Sequence, residues 1–489
     1  MMAASSNIGL GDLRLLREQA YIDGKWCAAD DGDVIEVTNP ADESVLGTIP
    51  RMGPAETARA VEAAHAALAT WRRRLAHERA DHLLAWHAEM LAHKEDLARL
   101  MTLEQGKPIA ESRGEIDYAA SFIRWFAEEA RRLYGCTIPT HLHGRTLFSQ
   151  HDPVGVVACI TPWNFPSAMI TRKAAAAIAA GCPVIVRPAS ETPYSALALA
   201  ELADRAGLPE GVFSVVTGDA RPICGEFFRD SRIRAMSFTG STEVGRLLIE
   251  QGAKTVKKMS MELGGHAPFL AFDDMDPKEA AEAAVAAKFQ TTGQDCLAAN
   301  RIYVQRRIYE EFLRHFQAAA ANLRVGGGFE EGVDQGPLMN QAAVEKCQSH
   351  VDDAVAHGAR LLTGGSLHER GGLFYQPTVL ADVTPDMKIS TEETFGPVAA
   401  IAPFDDEHEA LELANNTEYG LVAYLFTHDN PRILHLSEYL EYGMVAVNCV
   451  KITGAPIPFG GFKQSGLGRE GGHEGITEFT EVKYVCMAS

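Results

Sequence analysis

The sequence predicts an α/β protein in which parallel β-sheets are covered by helices on both faces. Between residues 153 and 275, short apolar runs alternate with helical stretches, starting with the run Val154–Ile160 and the helix Ser167–Ala180. A second unit of the same texture extends from a helix at Asp276–Gln290 to about residue 460. Such alternation implies parallel strands that are buried on both faces. No linker or repeat separates the two units, so we expect them to pack as one body with a cleft between them.

The elements before this series are predicted from turn residues and apolar spacing. Residues 21–50 contain short β-prone runs broken by Gly, Asp and Pro, a pattern typical of strands or hairpins. Helical texture starts at Pro54, which suits a first helical turn, and continues to Arg132. Its apolar and aromatic stripes are assigned to packing.

The later elements follow from the same two patterns. Gly181 closes the first helix of the series. The further strands and helices expected are Val184–Val186, Tyr194–Ala206, Phe213–Val216, Ala235–Phe238, a helix from Thr242, Met259–Leu263 and, closing the series, Phe269–Phe272. The run Phe479–Met487 predicts a terminal strand, which needs a partner that another subunit could supply.

The composition restricts the classes of partner. The chain has a net charge of −20, with 65 acidic and 45 basic side chains. A surface of that sign repels a phosphate backbone, so we expect no nucleic-acid partner, although a local basic pocket for a small anion remains allowed. The most apolar later stretch, Ala174–Val186, is interrupted by Gly181 and Pro183 and is too short to span a bilayer. We therefore expect no membrane segment.

Cysteine and histidine usage indicates the compartment and the absence of metal. The nine cysteines are widely spread without a CxxC pair, which disfavours a disulfide framework and a zinc cluster. The 17 histidines include no HExxH. The opening residues lack a basic start followed by an apolar run, so no secretory signal is expected. These features predict a reduced, cytoplasmic protein that uses no metal.

Three predicted strands end in polar motifs, and ligands of open parallel sheets bind beyond such ends. In TPWNFP, Asn164 offers a side-chain amide from a proline-locked turn, as an oxyanion donor must. In VIVRPASETP, Arg187 ends a strand where a cation suits a ribose or phosphate. In FTGSTEVG, Gly240 lets the backbone approach closely, and Ser241 begins a helix whose NH groups can face a phosphate. Taken singly, each has a plainer explanation: a turn-completing Asn, a solvated Arg or a simple helix N-cap.

Two further motifs supply a carboxylate and a thiol. Glu262 ends a strand in MELGGHAP, and the two glycines after it leave space around its side chain. Cys296 lies in the polar turn of FQTTGQDCLAANR. Most single cysteines are inert core residues, but a reactive thiol needs the access and polar surroundings of such a turn. Asp295 would discourage a thiolate if it faced the sulfur, and we expect the two adjacent side chains to diverge.

Taken together, these motifs resemble those of the aldehyde dehydrogenase superfamily. The likeness runs from about residue 20 to the C-terminus and rests on seven motifs in the family's order: TPWNFP, RPASETP, FTGSTEVG, MELGG, GQDC, EETFGP and PFGGFKQSGLGREGG. Within the superfamily the chain is most similar to succinate-semialdehyde dehydrogenases, notably in AMITRK, FDDMD and the LGREGG…KYVC ending.

The resemblance implies a three-part architecture. It comprises a Rossmann-like cofactor domain, an α/β catalytic domain and a small β region that joins subunits into a homodimer or homotetramer. By position, the cofactor domain is expected at 1–133 with 152–262, the catalytic domain at 263–462, and the oligomerisation region at 134–151 with 463–489.

The resemblance also implies a role for each motif. Cys296 is the expected nucleophile and Glu262 the general base, while Asn164 and the Cys296 backbone NH stabilise an oxyanion. An aldehyde would pass through a thiohemiacetal and, after hydride transfer to NAD or NADP, a thioester that water hydrolyses. The residues implied to line the cofactor site are Thr161, Pro162, Trp163, Asn164, Arg187, Pro188, Ala189, Ser190, Gly240, Ser241, Leu263, Glu393 and Phe395.

Two departures from the family pattern concern the cofactor. Many relatives have Lys where this chain has Arg187, whose forked guanidinium matches phosphate geometry. Ser190 stands where strict NAD users often carry Glu, whose carboxylate would clash with a 2′-phosphate. We therefore hypothesise that NADP is accepted or preferred.

Other departures concern the substrate, a small-molecule aldehyde. Succinate-semialdehyde enzymes hold the distal carboxylate with two arginines and a hydroxyl. Arg172 matches the first arginine and Thr453 the hydroxyl, but Gln290 replaces the second arginine. Lys451 offers a cation from another direction. Together these residues favour an acidic aldehyde, either succinate semialdehyde or another, although each cation alone is more often solvated or ion-paired.

Three rival functions stay open. The enzyme could oxidise a different, neutral aldehyde, or transfer the acyl group to CoA instead of water. Glu262 argues against the CoA branch, because that branch does without the general base. A catalytically silent member of the fold is disfavoured by the joint presence of Cys296, Glu262 and Asn164. His266 replaces a common Asn, and we interpret it as a packed polar residue.

Overall fold

The fold is described here for residues 8–488 from a computed structural model. Residues 1–7 and 489, which the predicted domain ranges include, lie outside this description. The strands within it are β1 (Ala20–Ile22), β2 (Lys25–Cys27), β3 (Val34–Thr38), β4 (Val45–Pro50), β5 (Cys136–Ile138), β6 (Arg145–Pro153), β7 (Val156–Ile160), β8 (Val184–Arg187), β9 (Phe213–Val215), β10 (Ile233–Thr239), β11 (Lys258–Glu262), β12 (Ala267–Ala271), β13 (Ala299–Gln305), β14 (Arg360–Thr363), β15 (Thr378–Ala381), β16 (Val398–Phe404), β17 (Val422–Phe426), β18 (Met444–Val447), β19 (Gly466–Leu467) and β20 (Thr480–Ala488).

The helices lie between these strands and cover the sheets. They are α1 (Pro54–Trp71), α2 (Ala76–Ala92), α3 (Lys94–Gln105), α4 (Ile109–Glu129), α5 (Ala168–Ala180), α6 (Pro193–Arg205), α7 (Ala220–Arg229), α8 (Thr242–Ala253), α9 (Pro277–Phe289), α10 (Tyr309–Ala321), α11 (Gln341–Ala356), α12 (Lys388–Thr391), α13 (Glu407–Asn415), α14 (Asn430–Tyr439) and α15 (Glu474–Thr477). Among the described residues no helix is both long and apolar enough to cross a membrane.

The first sheet confirms the predicted strand–helix alternation. Its order is β19-β11-β10-β7-β8-β9-β1-β2, and the five strands from β11 to β9 run parallel. Gly181 closes α5 with a φ of 99°, which glycine adopts without strain. The chain moves from β7 outward to β9 and then returns to add β10 on the other side of β7. The junction of β7 and β10 is therefore the topological switch point, where such sheets bind ligands.

Helices cover both faces of this sheet and bury it. Helices α2 to α6 pack on one face around a core that includes Trp86 and Phe213. Helices α1, α7 and α8 cover the other face, where Phe227 and Met236 are buried. The Trp86 indole donates to the Leu199 carbonyl at 3.1 Å, so its polar atom is satisfied within the core.

The second sheet has the order β14-β15-β16-β13-β12-β17-β18, with only β14 antiparallel. It corrects one prediction: the run Phe269–Phe272, expected to close the first series, forms β12 in the middle of this second sheet. Gly264 and Gly265 break the chain between β11 and β12, and the two strands diverge there into different sheets. Apolar content alone does not indicate which of two sheets a buried strand joins.

A third sheet, of order β20-β6-β5, is antiparallel and contains the terminal strand. Its partner is not another subunit but β6 of the same chain, with Thr480 opposite Pro153 and Ala488 opposite Arg145. The other edge of β20 is unpaired in this chain. Strand β19 joins the edge of the first sheet, so residues 463–489, predicted as one region, contribute strands to two sheets.

Candidate active site

The polar motifs of the first sheet meet at its switch point. Backbone hydrogen bonds join neighbouring strand ends: Thr161 NH donates to the Arg187 carbonyl at 3.2 Å, and Gly240 NH donates to the Glu262 carbonyl at 3.1 Å. The turns after β7, β8, β10 and β11 therefore lie side by side. This placement agrees with the expectation that these motifs share one ligand edge.

A strained turn carries the candidate nucleophile into this edge. After α9, Thr291, Thr292 and Gly293 adopt φ values of 49°, 58° and 70°. Left-handed backbone costs a β-branched residue roughly 1–3 kcal/mol. Glu111 of α4 supports the turn, because its carboxylate accepts hydrogen bonds from Thr291 N at 3.1 Å and Thr291 Oγ1 at 3.2 Å. Glu111 was not predicted, since a single acidic residue in a first helical turn is ordinary.

Cys296 lies in the wall of a cavity of about 620 Å³. Its side chain is buried but reaches this space, with 7% of its surface exposed. Close packing brings its loop against the end of β11: a Cβ added at Gly265 would collide with the Cys296 carbonyl oxygen. The second glycine of MELGG is thus needed because the nucleophile loop passes directly over it.

Glu262 lies behind the thiol and is almost fully buried, with neither carboxylate oxygen hydrogen-bonded among the described residues. Burial raises its pKa to about 7, against the lowering effect of Arg172, whose Nη2 is 3.6 Å from Glu262 Oε2. Burial also raises the pKa of Cys296 well above its ordinary value, and the carboxylates of Glu262 and Asp295 raise it further. The resting site therefore holds a protonated thiol beside a base that titrates near neutrality.

The expectation that Asp295 diverges from the sulfur is wrong. Asp295 and Cys296 line the same cavity, and each affects the pKa of the other. The tight turn explains the discrepancy: Asp295 Oδ1 accepts a hydrogen bond from Leu297 N at 3.0 Å, which folds the carboxylate back over the loop. Adjacent side chains diverge in a strand, but not in a turn closed in this way.

Asn164 is fixed from two sides at the end of β7. Its Nδ2 donates to the Gln294 carbonyl at 3.1 Å, so the side chain reaches the nucleophile loop. Its own carbonyl accepts from Lys107 Nζ at 2.6 Å. Lys107 is paired at 2.7 Å with Glu115, and both side chains are only 1% exposed. Glu115 in turn accepts from Ser167 N at 2.9 Å at the start of α5.

Arg172 contacts buried carboxylates and also lines the cavity. Its side chain is 1% exposed, contacts Glu470 and stacks over the Phe459 ring at 4.2 Å. Glu470 also contacts Lys173, whose Nζ donates to Thr239 Oγ1 at 2.6 Å. Among these groups the sequence indicated only Arg172, because buried charges distant in sequence leave no local pattern.

The other predicted substrate residues share this cavity. Arg172, Gln290, Lys451 and Thr453 all line it together with Cys296. Lys451 and Thr453 are exposed at the rim, whereas Arg172 is buried in the wall. The structure thus brings the four residues to the cavity of Cys296, although they come from three separate parts of the chain: α5, the turn after α9 and the loop after β18.

Most of the predicted cofactor residues lie at the ends of β7, β8, β10 and β11 or in the turns that follow, and Glu393 and Phe395 follow α12. Arg187 donates through Nη2 to Ser190 Oγ at 3.0 Å, while its buried Nε has no partner among the described residues. Ser241 caps α8 by accepting from Val244 N at 3.3 Å, so the first turn of this helix faces outward from the strand end. Unused donors beside a helix N-terminus suit the phosphates of a nucleotide.

Further residues complete that side of the site. Glu393 accepts from Gly265 N at 3.2 Å, and burial raises its pKa to about 7. Trp163 and Phe395 pack edge to face with ring centres 5.6 Å apart. Leu263 fills the space beside α8. The remaining predicted positions, Pro162, Pro188 and Ala189, lie in the turns after β7 and β8.

His266 has the structural role expected from the sequence. It is fully buried, its Nε2 is 3.0 Å from the Ser390 carbonyl, and its ring packs edge to face against Tyr419. Burial lowers its pKa well below the usual value, so the ring is neutral. It therefore packs the loop between β11 and β12.

The candidate site combines three features: the edge of a parallel sheet of the kind that binds nucleotides, a thiol that lines a cavity, and a buried carboxylate. These features define a class of cysteine-dependent dehydrogenases that use a dinucleotide. A model of the aldehyde dehydrogenase family matches residues 26–485. The chain belongs to the aldehyde dehydrogenase family, whose enzymes oxidise small aldehydes with NAD or NADP.

Three relatives illustrate the similarity. An aspartate-semialdehyde dehydrogenase (non-phosphorylating) of Halomonas elongata is 57% identical over 98% of this chain and 97% of its own. A succinate-semialdehyde dehydrogenase [NADP(+)] of Escherichia coli is 53% identical over 98% and 99%. The crystal structure of succinate-semialdehyde dehydrogenase from Burkholderia pseudomallei is 52% identical, covers 98% of this chain and 100% of that chain, and superimposes with a TM-score of 0.98.

Proposed function

We propose that this aldehyde dehydrogenase oxidises a semialdehyde with an acid group at its far end, through Cys296 and with NADP accepted or preferred. The observation that carries the proposal is the single cavity that Cys296 shares with Arg172 and Lys451. An aldehyde carbon at the sulfur leaves its other end among these cations.

In the first step Glu262 removes the thiol proton as the sulfur adds to the aldehyde carbon. Its pKa of about 7 makes this carboxylate a base strong enough for the task at neutral pH. The developing alkoxide is stabilised by Asn164 Nδ2, which leaves the Gln294 carbonyl, and by the Cys296 backbone NH. Lys107 keeps the backbone of Asn164 in place during this exchange.

Glu262 first passes the thiol proton to solvent and so returns to the carboxylate form. In the second step it removes a proton from water, which attacks the thioester and releases the carboxylate together with the Cys296 thiolate. The nicotinamide, when bound, supplies the hydride acceptor between the two steps. Glu393 and the Trp163–Phe395 pair would hold that end of the cofactor, and Arg187, Ser190 and the first turn of α8 would hold the phosphate end. The 2′-phosphate of NADP matches the charge of Arg187 and the small size of Ser190.

The names of the relatives agree with an acidic substrate. Succinate and aspartate semialdehydes each carry a carboxylate remote from the aldehyde, as the cations of the cavity require. Gln290 is neutral and Lys107 is paired with Glu115, so the cations proposed to contact that carboxylate are Lys451 and Arg172, whose Nε already contacts Glu470. A CoA-acylating reaction is disfavoured, because Glu262 is present to activate water.

The proposal extends to assembly and compartment. Strand β20 exposes Val482, Tyr484 and Met487 at an unpaired edge, which favours a homodimer or homotetramer. All nine cysteines are free in the structure. A reduced, cytoplasmic setting suits an enzyme whose nucleophile is a thiol.

The test is a substrate panel with three enzymes. The wild type is expected to oxidise 4-oxobutanoate with a higher kcat/KM than butanal, and with NADP at least as well as with NAD. Cys296→Ala should show no turnover, because the bond-forming atom is missing. Glu262→Gln should form the acyl-enzyme, detected by mass spectrometry after a quench, and release it slowly. Normal turnover by Cys296→Ala, or equal use of both aldehydes, would contradict the proposal.

A further inference from the structure

The charges that line the substrate cavity are balanced rather than positive. Three cations and three carboxylates face it: Lys107, Arg172, Lys451, Glu111, Glu115 and Asp295. A pocket built only for an anionic semialdehyde needs an excess of cations. The balance indicates that a second, oppositely charged group of the ligand is recognised.

Most of these charges already have partners within the protein. Lys107 is paired with Glu115 at 2.7 Å. Both oxygens of Glu111 accept hydrogen bonds from Thr291. Asp295 differs, since only its Oδ1 accepts a hydrogen bond, from Leu297 N, and its second oxygen has no donor among the described residues. Asp295 is therefore the carboxylate of the cavity with capacity for a ligand.

The position of Asp295 is costly for the reaction unless its charge is offset. Its carboxylate raises the pKa of the adjacent Cys296 thiol and so opposes formation of the nucleophile. A cation bound at Asp295 would remove this effect at the moment of binding. A charge that hinders the free enzyme but not the complex is expected where the substrate itself supplies the counter-charge.

An independent observation concerns the anionic end of the ligand. Arg172 Nη2 lies in the cavity wall on a side chain that is 1% exposed, yet it makes no hydrogen bond among the described residues. Glu262 Oε2 lies 3.6 Å from Nη2, and the contact of Arg172 with Glu470 is made through Nε. A buried guanidinium nitrogen without an acceptor indicates an anionic ligand.

We infer that the cavity takes a zwitterionic semialdehyde, in which an ammonium group between the aldehyde and the acid is bound by Asp295. The acid end contacts Arg172 and Lys451. The inference rests on the proposed function, because the aldehyde must still react with Cys296, and it adds one requirement to the substrate.

The experiment compares two substrates that differ by one group: 4-oxobutanoate and the same chain with an amino group at carbon 2. The wild type is expected to prefer the amino-bearing substrate. Asp295→Asn keeps the shape and removes the charge, so kcat/KM for the amino-bearing substrate should fall about 10- to 100-fold, as for a lost charge-assisted hydrogen bond. For 4-oxobutanoate it should rise, because the thiol pKa falls.

Two further variants separate recognition from structure. Asp295→Glu keeps the charge and should keep the preference for the amino-bearing substrate. Glu111→Gln changes a carboxylate of the same cavity whose oxygens are already used, so it should leave the ratio of the two kcat/KM values unchanged. The pH profile of Cys296 alkylation provides a readout without turnover, and Asp295→Asn should shift it to lower pH.

The outcomes distinguish the two proposals. If the wild type oxidises neither substrate, the proposed function fails. If it oxidises both and Asp295→Asn leaves their ratio unchanged, or lowers both equally, the proposed function stands and the ammonium site is wrong. Opposite changes for the two substrates support the inference, since a merely structural role would not produce them.

Discussion

At the scale of residues, the pKa of Glu262, the proposed general base, sets the pH dependence expected for product release. Burial raises this pKa to about 7. A base acts only when deprotonated, so its contribution grows as the pH rises through that value. Arg172 favours the charged form from 3.6 Å but does not offset the effect of burial on this pKa.

We predict that hydrolysis of the acyl-enzyme increases about tenfold per pH unit below pH 7 and levels off above it. The rate is measured by stopped-flow on enzyme acylated in a single turnover. Glu262→Gln, which cannot titrate, should give a slow and flat profile. If the hydrolysis rate of this variant still rises with pH, the titrating group is not Glu262.

The proposed catalytic residues were predictable because each lies in a recognisable motif at the end of an element or in the turn that follows it. Cys296, Glu262 and Asn164 were expected to act together. In the structure Asn164 Nδ2 donates to the Gln294 carbonyl of the loop that carries Cys296, and Glu262 is close enough to raise the pKa of Cys296. The buried pair Lys107–Glu115 was not predicted, because each residue alone resembles an ordinary solvated charge on a helix. Its role depends on a contact between residue 107 and residue 164, which sequence spacing does not encode.

At the scale of elements, the approach of the nucleophile loop to the end of β11 is the tightest constraint. A side chain at Gly265 has no room, because the Cys296 carbonyl occupies its place. The φ of Gly265 is not in the left-handed region, so only this collision forbids a larger residue.

We predict that Gly265→Ala lowers kcat about 100-fold, since a displacement of about 1 Å at a reacting atom has this effect. Gly225→Ala is the control, because its added Cβ meets nothing within 4 Å in the exposed part of α7. That variant should retain activity and gain about 0.5–1 kcal/mol of stability from helix propensity. Steady-state kinetics and thermal unfolding check both, and a fully active Gly265→Ala would contradict the packing argument.

The elements that were given bounds between residues 154 and 290, and the terminal strand, were predictable within two residues, because helical and strand periodicities differ clearly. Helix α7 and the individual elements from β13 to β19 were not predicted. The assignment of Phe269–Phe272 to the first sheet failed for a physical reason. A buried parallel strand is apolar on both faces, so its pattern is the same in either sheet. Only the glycine break after Glu262 marks the change, and glycines are equally expected there if the carboxylate needs space around it.

At the scale of the whole molecule, the proposed assembly depends on the exposed edge of β20. Val482, Tyr484 and Met487 are each at least half exposed there. Apolar side chains along an unpaired strand are unfavourable in a monomer.

We predict that Val482→Lys combined with Tyr484→Glu converts the oligomer into monomers, measured by sedimentation velocity. Leu434→Lys is the control, because Leu434 is 74% exposed on α14, away from this edge. It should leave the sedimentation coefficient unchanged. A wild type that sediments as a monomer would contradict the proposed assembly.

The return of β19 to the sheet that begins at β1 has a practical consequence. The first α/β unit is not one continuous piece of chain, since β19, near residue 466, pairs with β11 at the edge of its sheet. A chimaera that borrows the substrate-facing unit of a relative therefore needs two crossovers, one after Glu262 and one before Ser465. With a single crossover, β11 would come from one parent and β19 from the other. The hydrogen bond from Leu263 NH to the Ser465 carbonyl would then have to form between segments that did not evolve together.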